Sequence, residues 1–99
     1  MMDAYYPEVV QSVPGEGSTV YAYFSDGSIH LYDASELLEA GGVFEPIQDP
    51  SFFRDALTVM NGTVAWDLSG EFDPTNCIDI DPFVVYEAPI VSDPLEVAA

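Results

Sequence analysis

The dipeptide Asn61-Gly62, flanked by two strand-like runs, constrains the fold of this chain more than any other feature of its sequence. Residues 56–60 and 63–68 on either side of it contain many apolar and β-branched side chains. Asn-Gly tolerates the positive φ angles at both central positions of a type I′ turn, whose twist matches that of paired antiparallel strands. The sequence therefore predicts a β-hairpin centred on Asn61-Gly62.

A second hairpin is predicted around Asp26-Gly27. Residues 19–24 are rich in β-branched and aromatic side chains, and residues 28–32 alternate apolar with polar ones. Side chains two positions apart in a strand point to the same face. One face of the first strand should therefore hold Val20, Ala22 and Phe24.

Helix signals lie between and after the hairpins. Asp33-Ala34-Ser35-Glu36 fits a capping box, and Asp49-Pro50 combines an N-cap residue with proline at the first helical position. Asp73-Pro74 and Asp81-Pro82 look like starts of helical turns, but residues 83–86 have strand propensity. For residues 83–86 the sequence does not decide between helix and strand.

Together with a weakly alternating strand at residues 8–13, these signals predict an α+β fold. We expect a small single domain, 1–99, with a mostly antiparallel sheet built from two hairpins plus a preceding strand, and two or three short helices. The ordered core should cover about residues 8–87. Prolines at 89 and 94 predict a loosely held tail over residues 88–99.

The charge balance excludes several classes of function. The 99 residues include 18 Asp and Glu but a single Lys or Arg, which is Arg54, for a net charge of -17. Direct binding to nucleic acid or to an anionic membrane is excluded, because both depend on basic side chains. A hydrophobic fraction of 48% is too high for a disordered chain. No membrane span or signal peptide is evident, so a cytoplasmic location is expected.

The signals follow a definite order along the chain. They are Phe24-Ser25-Asp26-Gly27, Ile29-x-Leu31-x-Asp33, a leucine-rich helix, Phe52-Phe53, Asn61-Gly62 with Trp66, and Ile80-Asp81-Pro82 before Tyr86. Over about residues 8–87 this order resembles the small bacterial domain-of-unknown-function family 2442. The resemblance implies a small α+β domain, and it implies no functional residue because family members have no established activity. The near absence of Lys and Arg departs from the family pattern.

The sequence offers little for catalysis. Its one histidine, His30, should lie on the solvated sheet face opposite Ile29 and Leu31, and Cys77 should be a small, buried, reduced thiol. Phosphate-binding glycine motifs and the G-x-S-x-G motif are absent. We therefore predict that the chain is not an enzyme and requires no cofactor.

One segment rich in carboxylates has a spacing close to that of a metal-binding loop. Asp67-x-Ser69-x-Glu71-x-Asp73 resembles a calcium loop, but the glycine stands at position four rather than six and the closing glutamate is missing. No metal site is therefore predicted. A glycosidase pair stays open from residue counts alone, although it would need a cleft and one carboxyl group with a raised pKa.

The unbalanced acids predict a basic partner. Five acids have expected local roles as N-caps, capping-box partner or turn residue: Asp26, Asp33, Glu36, Asp49 and Asp73. Seven others without a predicted capping role are the candidate partner-binding residues: Glu39, Glu45, Asp67, Glu71, Asp79, Asp81 and Glu87. Aromatic anchors could come from Tyr21, Tyr23 or Tyr32, for which packing on the sheet face is the alternative.

The number and spacing of the charges are comparable to those of DNA. A globule roughly 33 Å across matches a length of duplex with about 20 phosphates, and this chain has a net charge of -17. If residues 78–81 are extended, Asp79 and Asp81 would lie about 6.6 Å apart on one face, with Ile78 and Ile80 pointing inward. Mutual repulsion should also raise many carboxyl pKa values.

These features resemble small acidic inhibitors from phage or mobile elements, of the anti-CRISPR or anti-restriction type. The predicted function is that of a DNA mimic that blocks a basic groove of a nucleic-acid-binding complex, such as a restriction or CRISPR effector, by protein-protein interaction. Two alternatives stay open: a regulatory or toxin-associated partner-binding module without mimicry, and a salt-adapted soluble protein. The edge strands of a small sheet would also allow a homodimer.

Overall fold

The computed structural model describes residues 6–94, which form two antiparallel sheets of three strands each. In the first sheet the strand order is β1-β2-β3, with β1 at Val9–Pro14, β2 at Thr19–Phe24 and β3 at Ile29–Asp33. In the second it is β4-β5-β6, with β4 at Leu57–Met60, β5 at Thr63–Asp67 and β6 at Cys77–Asp79. The helices are α1 at Ser35–Ala40, a 3₁₀ helix at Gly42–Gln48, α2 at Pro50–Asp55 and α3 at Pro82–Tyr86.

The predicted α+β class and both predicted hairpins are confirmed. Asn61 and Gly62 have φ angles of 56° and 74°, as a type I′ turn requires. The sequence did not indicate that the strands divide into two sheets. The helical segment 35–55 separates β3 from β4 along the chain, and the sheets meet where Ser12 Oγ of β1 donates to the Thr58 carbonyl of β4 at 2.9 Å.

One hydrophobic core joins the two sheets and the helices. Val20, Ala22 and Phe24 are buried along β2, as the alternation predicts, and Tyr21 and Tyr23 between them are half-buried. In the second sheet Trp66 is fully buried, and its Nε1 donates to the Phe53 carbonyl of α2 at 3.0 Å. Burial of these large side chains supplies most of the favourable free energy of folding.

Two of the three aspartate-proline signals locate helices, whereas Asp73-Pro74 starts only a single turn, which the Asn76 amide closes on the Asp73 carbonyl at 2.9 Å. Asp49 accepts a hydrogen bond from the Ser51 amide at the start of α2, and Asp81 accepts one from the Phe83 amide at the start of α3. Residues 83–86 are therefore helical despite their strand propensity, because the cap and the proline initiate the helix. At α1 the N-cap position is Ala34, while Asp33 accepts from the Ser35 amide.

The prediction that His30 lies on a solvated face is wrong, since its side chain is only 2% exposed. In an antiparallel pair, residues directly opposite each other share a face. His30 is opposite Ala22, so it lies on the buried face of the sheet. Its Nδ1 is 2.8 Å from the Ala88 carbonyl oxygen and its Nε2 is 3.0 Å from Ser28 Oγ.

The segment that the sequence assigned to a loose tail is hydrogen-bonded to β3 over its first part. The Leu31 amide donates to the Pro89 carbonyl at 2.9 Å, and the Val91 amide donates to the Ile29 carbonyl at 2.8 Å. The backbone N–H and C=O groups on the outer edge of β3 therefore find hydrogen-bond partners in this segment. Residues 95–99 of the expected tail lie outside the described residues. None of the helices in residues 6–94 has the length and apolar character needed to cross a bilayer.

Candidate partner-binding surface

Asp79 ends β6, the outer strand of the second sheet, and Asp81 follows two positions later as the N-cap of α3. Ile78 and Ile80 are buried, while Asp79 and Asp81 are exposed, so the alternation is the one that the sequence predicts. Asp79 Oδ2 accepts from Asn61 Nδ2 at 3.2 Å, and Asp81 is held by the Phe83 amide at 2.9 Å. The positions of both carboxylates are therefore restrained by hydrogen bonds.

Helix α3 adds apolar side chains directly after these acids. Phe83 is 48% exposed and Val84 is 46% exposed, and the ring of Tyr6 packs edge-on against Phe83 with centroids 6.2 Å apart. Exposed Glu87 follows Phe83 by four positions, so the two share one side of the helix. We call Asp79, Asp81, Phe83, Val84 and Glu87 the β6–α3 surface.

The remaining candidate acids lie on other elements. Glu39 is on α1, Glu45 is on the 3₁₀ helix and Glu71 is in the loop after β5, and all three are exposed. Asp67 ends β5 and is half-buried. Of the seven candidate residues, Asp79, Asp81 and Glu87 therefore fall on consecutive elements, and the other four are distributed over the chain.

Two of the seven candidate acids also have structural roles. Asp81 caps α3, and Asp67 organises the loop that follows β5. Asp67 Oδ1 accepts from the amide and hydroxyl of Ser69 at 3.0 and 2.8 Å, and its Oδ2 accepts from the Phe72 amide at 2.8 Å. The signals were present, because Asp-Pro marks a helix start and Asp-x-Ser is typical of an Asx turn.

The tyrosines expected to serve as anchors are part of the sheet. Tyr21, Tyr23 and Tyr32 are half-buried, and the Tyr23 hydroxyl donates to Asp93 Oδ1 at 2.6 Å. Burial is the main cause of the raised pKa of Tyr32, and the nearby charges of Glu36 and Asp33 raise it further. The more exposed aromatic side chains are Tyr6, Phe72 and Phe83, which the sequence analysis did not single out.

Hydrogen bonding overrides charge repulsion at four aspartates. The pKa values are lowered, contrary to the expectation of a rise, at Asp26, Asp33, Asp67 and Asp73. In each case the largest cause is a hydrogen bond from the residue two positions later. The effect is strongest at Asp26, where the Ser28 and Tyr86 hydroxyls bring the pKa to about 2. These four groups are fixed anions at neutral pH.

The side chains most suited to catalysis are not brought together. His30 lies in the first sheet, whereas Cys77 begins β6 in the second. Cys77 is half-buried, and both burial and the adjacent carboxylates raise the pKa of its thiol, which disfavours the reactive thiolate. Within residues 6–94, no group of three or more His, Cys, Asp and Glu side chains is arranged to hold a metal ion.

The sole Lys or Arg side chain of the chain leaves the acids largely uncompensated. Arg54 is exposed, and its Nη1 lies 3.5 Å from the backbone carbonyl oxygen of Gly15. Comparisons with protein-family models, curated proteins and solved structures found no match. The resemblance to family 2442 stays a prediction based on the residues quoted for it.

Proposed function

We propose that this chain is a non-enzymatic DNA mimic that occupies the basic groove of a nucleic-acid-binding protein, such as a restriction or CRISPR effector. The principal support is the arrangement of Asp79 and Asp81, two exposed carboxylates restrained by hydrogen bonds at alternate positions where β6 leads into α3. In extended chain such positions are about 6.6 Å apart, which is of the same order as the spacing of phosphates along one nucleic-acid strand.

The size of the molecule is consistent with this role. Its longest dimension is 41 Å, which matches a length of duplex with about 24 phosphates. The net charge of -17 is of that order. Such a field would accelerate encounter with a basic groove and make association strongly dependent on salt.

The apolar part of the β6–α3 surface favours a protein partner over simple salt adaptation. Charged groups alone give a protein solubility, whereas exposed Phe83 and Val84 reduce it. Aromatic side chains next to polar groups are typical of the residues that contribute most to binding energy at protein interfaces. We infer that Phe83 and Val84 pack against the partner while Asp79 and Asp81 contact its basic side chains.

A displacement assay tests the proposal. Each of a panel of purified restriction enzymes and CRISPR effectors would first be loaded with fluorescent DNA. The DNA would be a duplex for the restriction enzymes and a guide-matched target for the CRISPR effectors. The chain would then be added at increasing concentration. We expect displacement from at least one effector and loss of DNA cleavage. The double variant D79N/D81N should weaken displacement by about tenfold, because two charges are lost while asparagine keeps the capping and hydrogen-bonding capacity.

The matched control is E16Q/E36Q, which removes the same number of charges from exposed positions of the first sheet's turn and of α1. It should weaken displacement much less. If both double variants weaken it equally, the net charge matters and the β6–α3 surface does not. If every effector retains its DNA and still cleaves, mimicry is rejected, and the partner-binding module without mimicry becomes the better hypothesis.

A further inference from the structure

A cleft of about 450 Å³ lies between α2, the start of β4 and the loop after β5. Its walls include Phe52, Asp55, Leu57, Asp67 and Phe72, and we call this site the α2 cleft. The volume lies within the range of roughly 300–1,000 Å³ that ligand-binding pockets occupy. The α2 cleft is separate from the residues that define the β6–α3 surface.

Phe72, which lines this cleft, has an unfavourable backbone conformation. Its φ angle is 59°, in the left-handed region where a bulky side chain is disfavoured, and its side chain is 59% exposed. The ring is therefore buried too little for the free energy of burial to offset the strain of the backbone at this position. The loop keeps this conformation because the Asp67 carboxylate accepts the Phe72 amide hydrogen at 2.8 Å.

The same cleft combines aromatic and anionic groups. Half-buried Phe52 and Leu57 supply apolar surface, and the carboxylates of Asp55 and Asp67 supply negative charge. An apolar ligand would desolvate the Asp55 carboxylate without supplying a partner for it, which costs free energy. Arg54, although next to Asp55 in sequence, does not line the cleft and contacts the Gly15 carbonyl oxygen. Among residues 6–94, those that line the cleft include no basic side chain, so a cationic ligand would complement its charge.

We propose that the α2 cleft binds an arginine side chain of the basic partner, with the guanidinium stacked on the aromatic wall and paired with Asp55. The identity of the partner rests on the proposed function, but the chemistry of the cleft does not. Arginine fits better than lysine because its planar, weakly hydrated guanidinium both stacks on aromatic faces and donates to a carboxylate in a fork. Most of the hydrogen-bonding capacity of Asp67 is used within its loop, so Asp55 is the principal pairing group.

The test uses the intact chain and three short peptides, otherwise neutral and identical, with arginine, lysine or citrulline at the centre. Citrulline has the shape of arginine without its charge. Binding would be followed by NMR shifts of backbone amides at constant ionic strength. We expect saturable shifts at Phe52, Asp55 and Phe72, largest for arginine, weaker for lysine and absent for citrulline.

Variants D55N and F72G should each weaken arginine-peptide binding by roughly threefold or more, as expected for loss of an exposed ion pair or of a cation-π contact. Glycine adopts the φ angle of position 72 without strain, so F72G should keep the loop fold. E36Q on α1 is the control and should bind as the unmodified chain does. D55N provides an independent test if F72G alters the loop.

Equal binding of the arginine and lysine peptides with shifts spread over all exposed acids would overturn the α2 cleft proposal. So would unchanged affinity in both D55N and F72G. These outcomes are distinct from failure of DNA mimicry, because the peptide assay involves no effector. Conversely, the unmodified chain, D55N and F72G could all displace DNA from an effector equally well. That result would support mimicry and show that the α2 cleft does not contribute to it.

Discussion

The Tyr86 hydroxyl donates a hydrogen bond to Asp26 Oδ2 at 2.7 Å, across 60 positions of the chain. The same tyrosine ring packs against Phe24 and His30, with centroid distances of 5.0 and 4.7 Å. Tyr86 is in α3 and Asp26 is in the turn between β2 and β3. This contact therefore fixes α3, and with it part of the β6–α3 surface, to the first sheet.

Acid should weaken the fold through Asp26. Its pKa is lowered from 3.8 to about 2 in the folded chain, so the unfolded state binds the proton at higher pH than the folded state does. The stability that Asp26 contributes is therefore present above pH 3.8 and is lost as the pH falls toward about 2. Urea denaturation followed by Trp66 fluorescence over this range should show a smaller acid-induced loss in D26N than in the unmodified chain.

Variant Y86F supplies the matching intermediate. It removes the hydroxyl of Tyr86 but leaves the two hydrogen bonds from Ser28 to Asp26. NMR titration of the Asp26 carboxyl should then give a pKa between that of the unmodified chain and the usual value. An unchanged pKa in Y86F would show that this hydrogen bond does not stabilise the anion.

Added salt should stabilise the folded chain. A net charge of -17 on a compact molecule is self-repulsive, and salt screens that repulsion. The melting temperature should rise between low and moderate concentrations of sodium chloride, and less steeply in D79N/D81N. A melting temperature independent of salt in both proteins would contradict a significant role for repulsion.

The hydrogen bonds of buried His30 should be necessary for full stability. Its Nδ1 must carry a hydrogen, because the Ala88 carbonyl oxygen 2.8 Å away can only accept one. H30F keeps an aromatic ring of similar size but leaves that carbonyl without this donor, at a cost of about 1–3 kcal/mol in the free energy of unfolding. A loss well under about 1 kcal/mol in chemical denaturation would argue against the Ala88 contact as a determinant of stability.

Trp66 should be a second determinant of stability. W66F removes the donor to the Phe53 carbonyl and leaves space in the fully buried core. We expect a loss of about 2 kcal/mol or more in the free energy of unfolding. Since this variant lacks the only tryptophan of the chain, the measurement should use far-ultraviolet circular dichroism. A loss well under about 1 kcal/mol would indicate that the core closes around phenylalanine.

Local turn and capping chemistry predicted much of the fold. Asn61-Gly62 determines its hairpin through the φ angles that those two residues tolerate, and Asp49-Pro50 determines the start of α2 through one side-chain hydrogen bond. Both signals act over a few residues, so they can be recognised without knowledge of the rest of the molecule.

The features that were missed depend on distant residues. The burial of His30 follows from its pairing with Ala22 and from the packing of Tyr86 over it, neither of which is visible in the alternation of residues 28–32. The α2 cleft requires Phe52 and Phe72, twenty positions apart, to line the same cavity. Among the candidate acids, the exposure of Asp79 and Asp81 was accessible from sequence because it follows from the alternation of apolar and acidic residues over 78–81.

The contact of Arg54 with a backbone carbonyl has a consequence for the thermodynamics of any association. Because the chain has a single Lys or Arg, its carboxylates attract counterions from solution, as the phosphates of a nucleic acid do. Binding in a basic groove would release the counterions of both the acidic chain and the groove, and the entropy of that release would favour association.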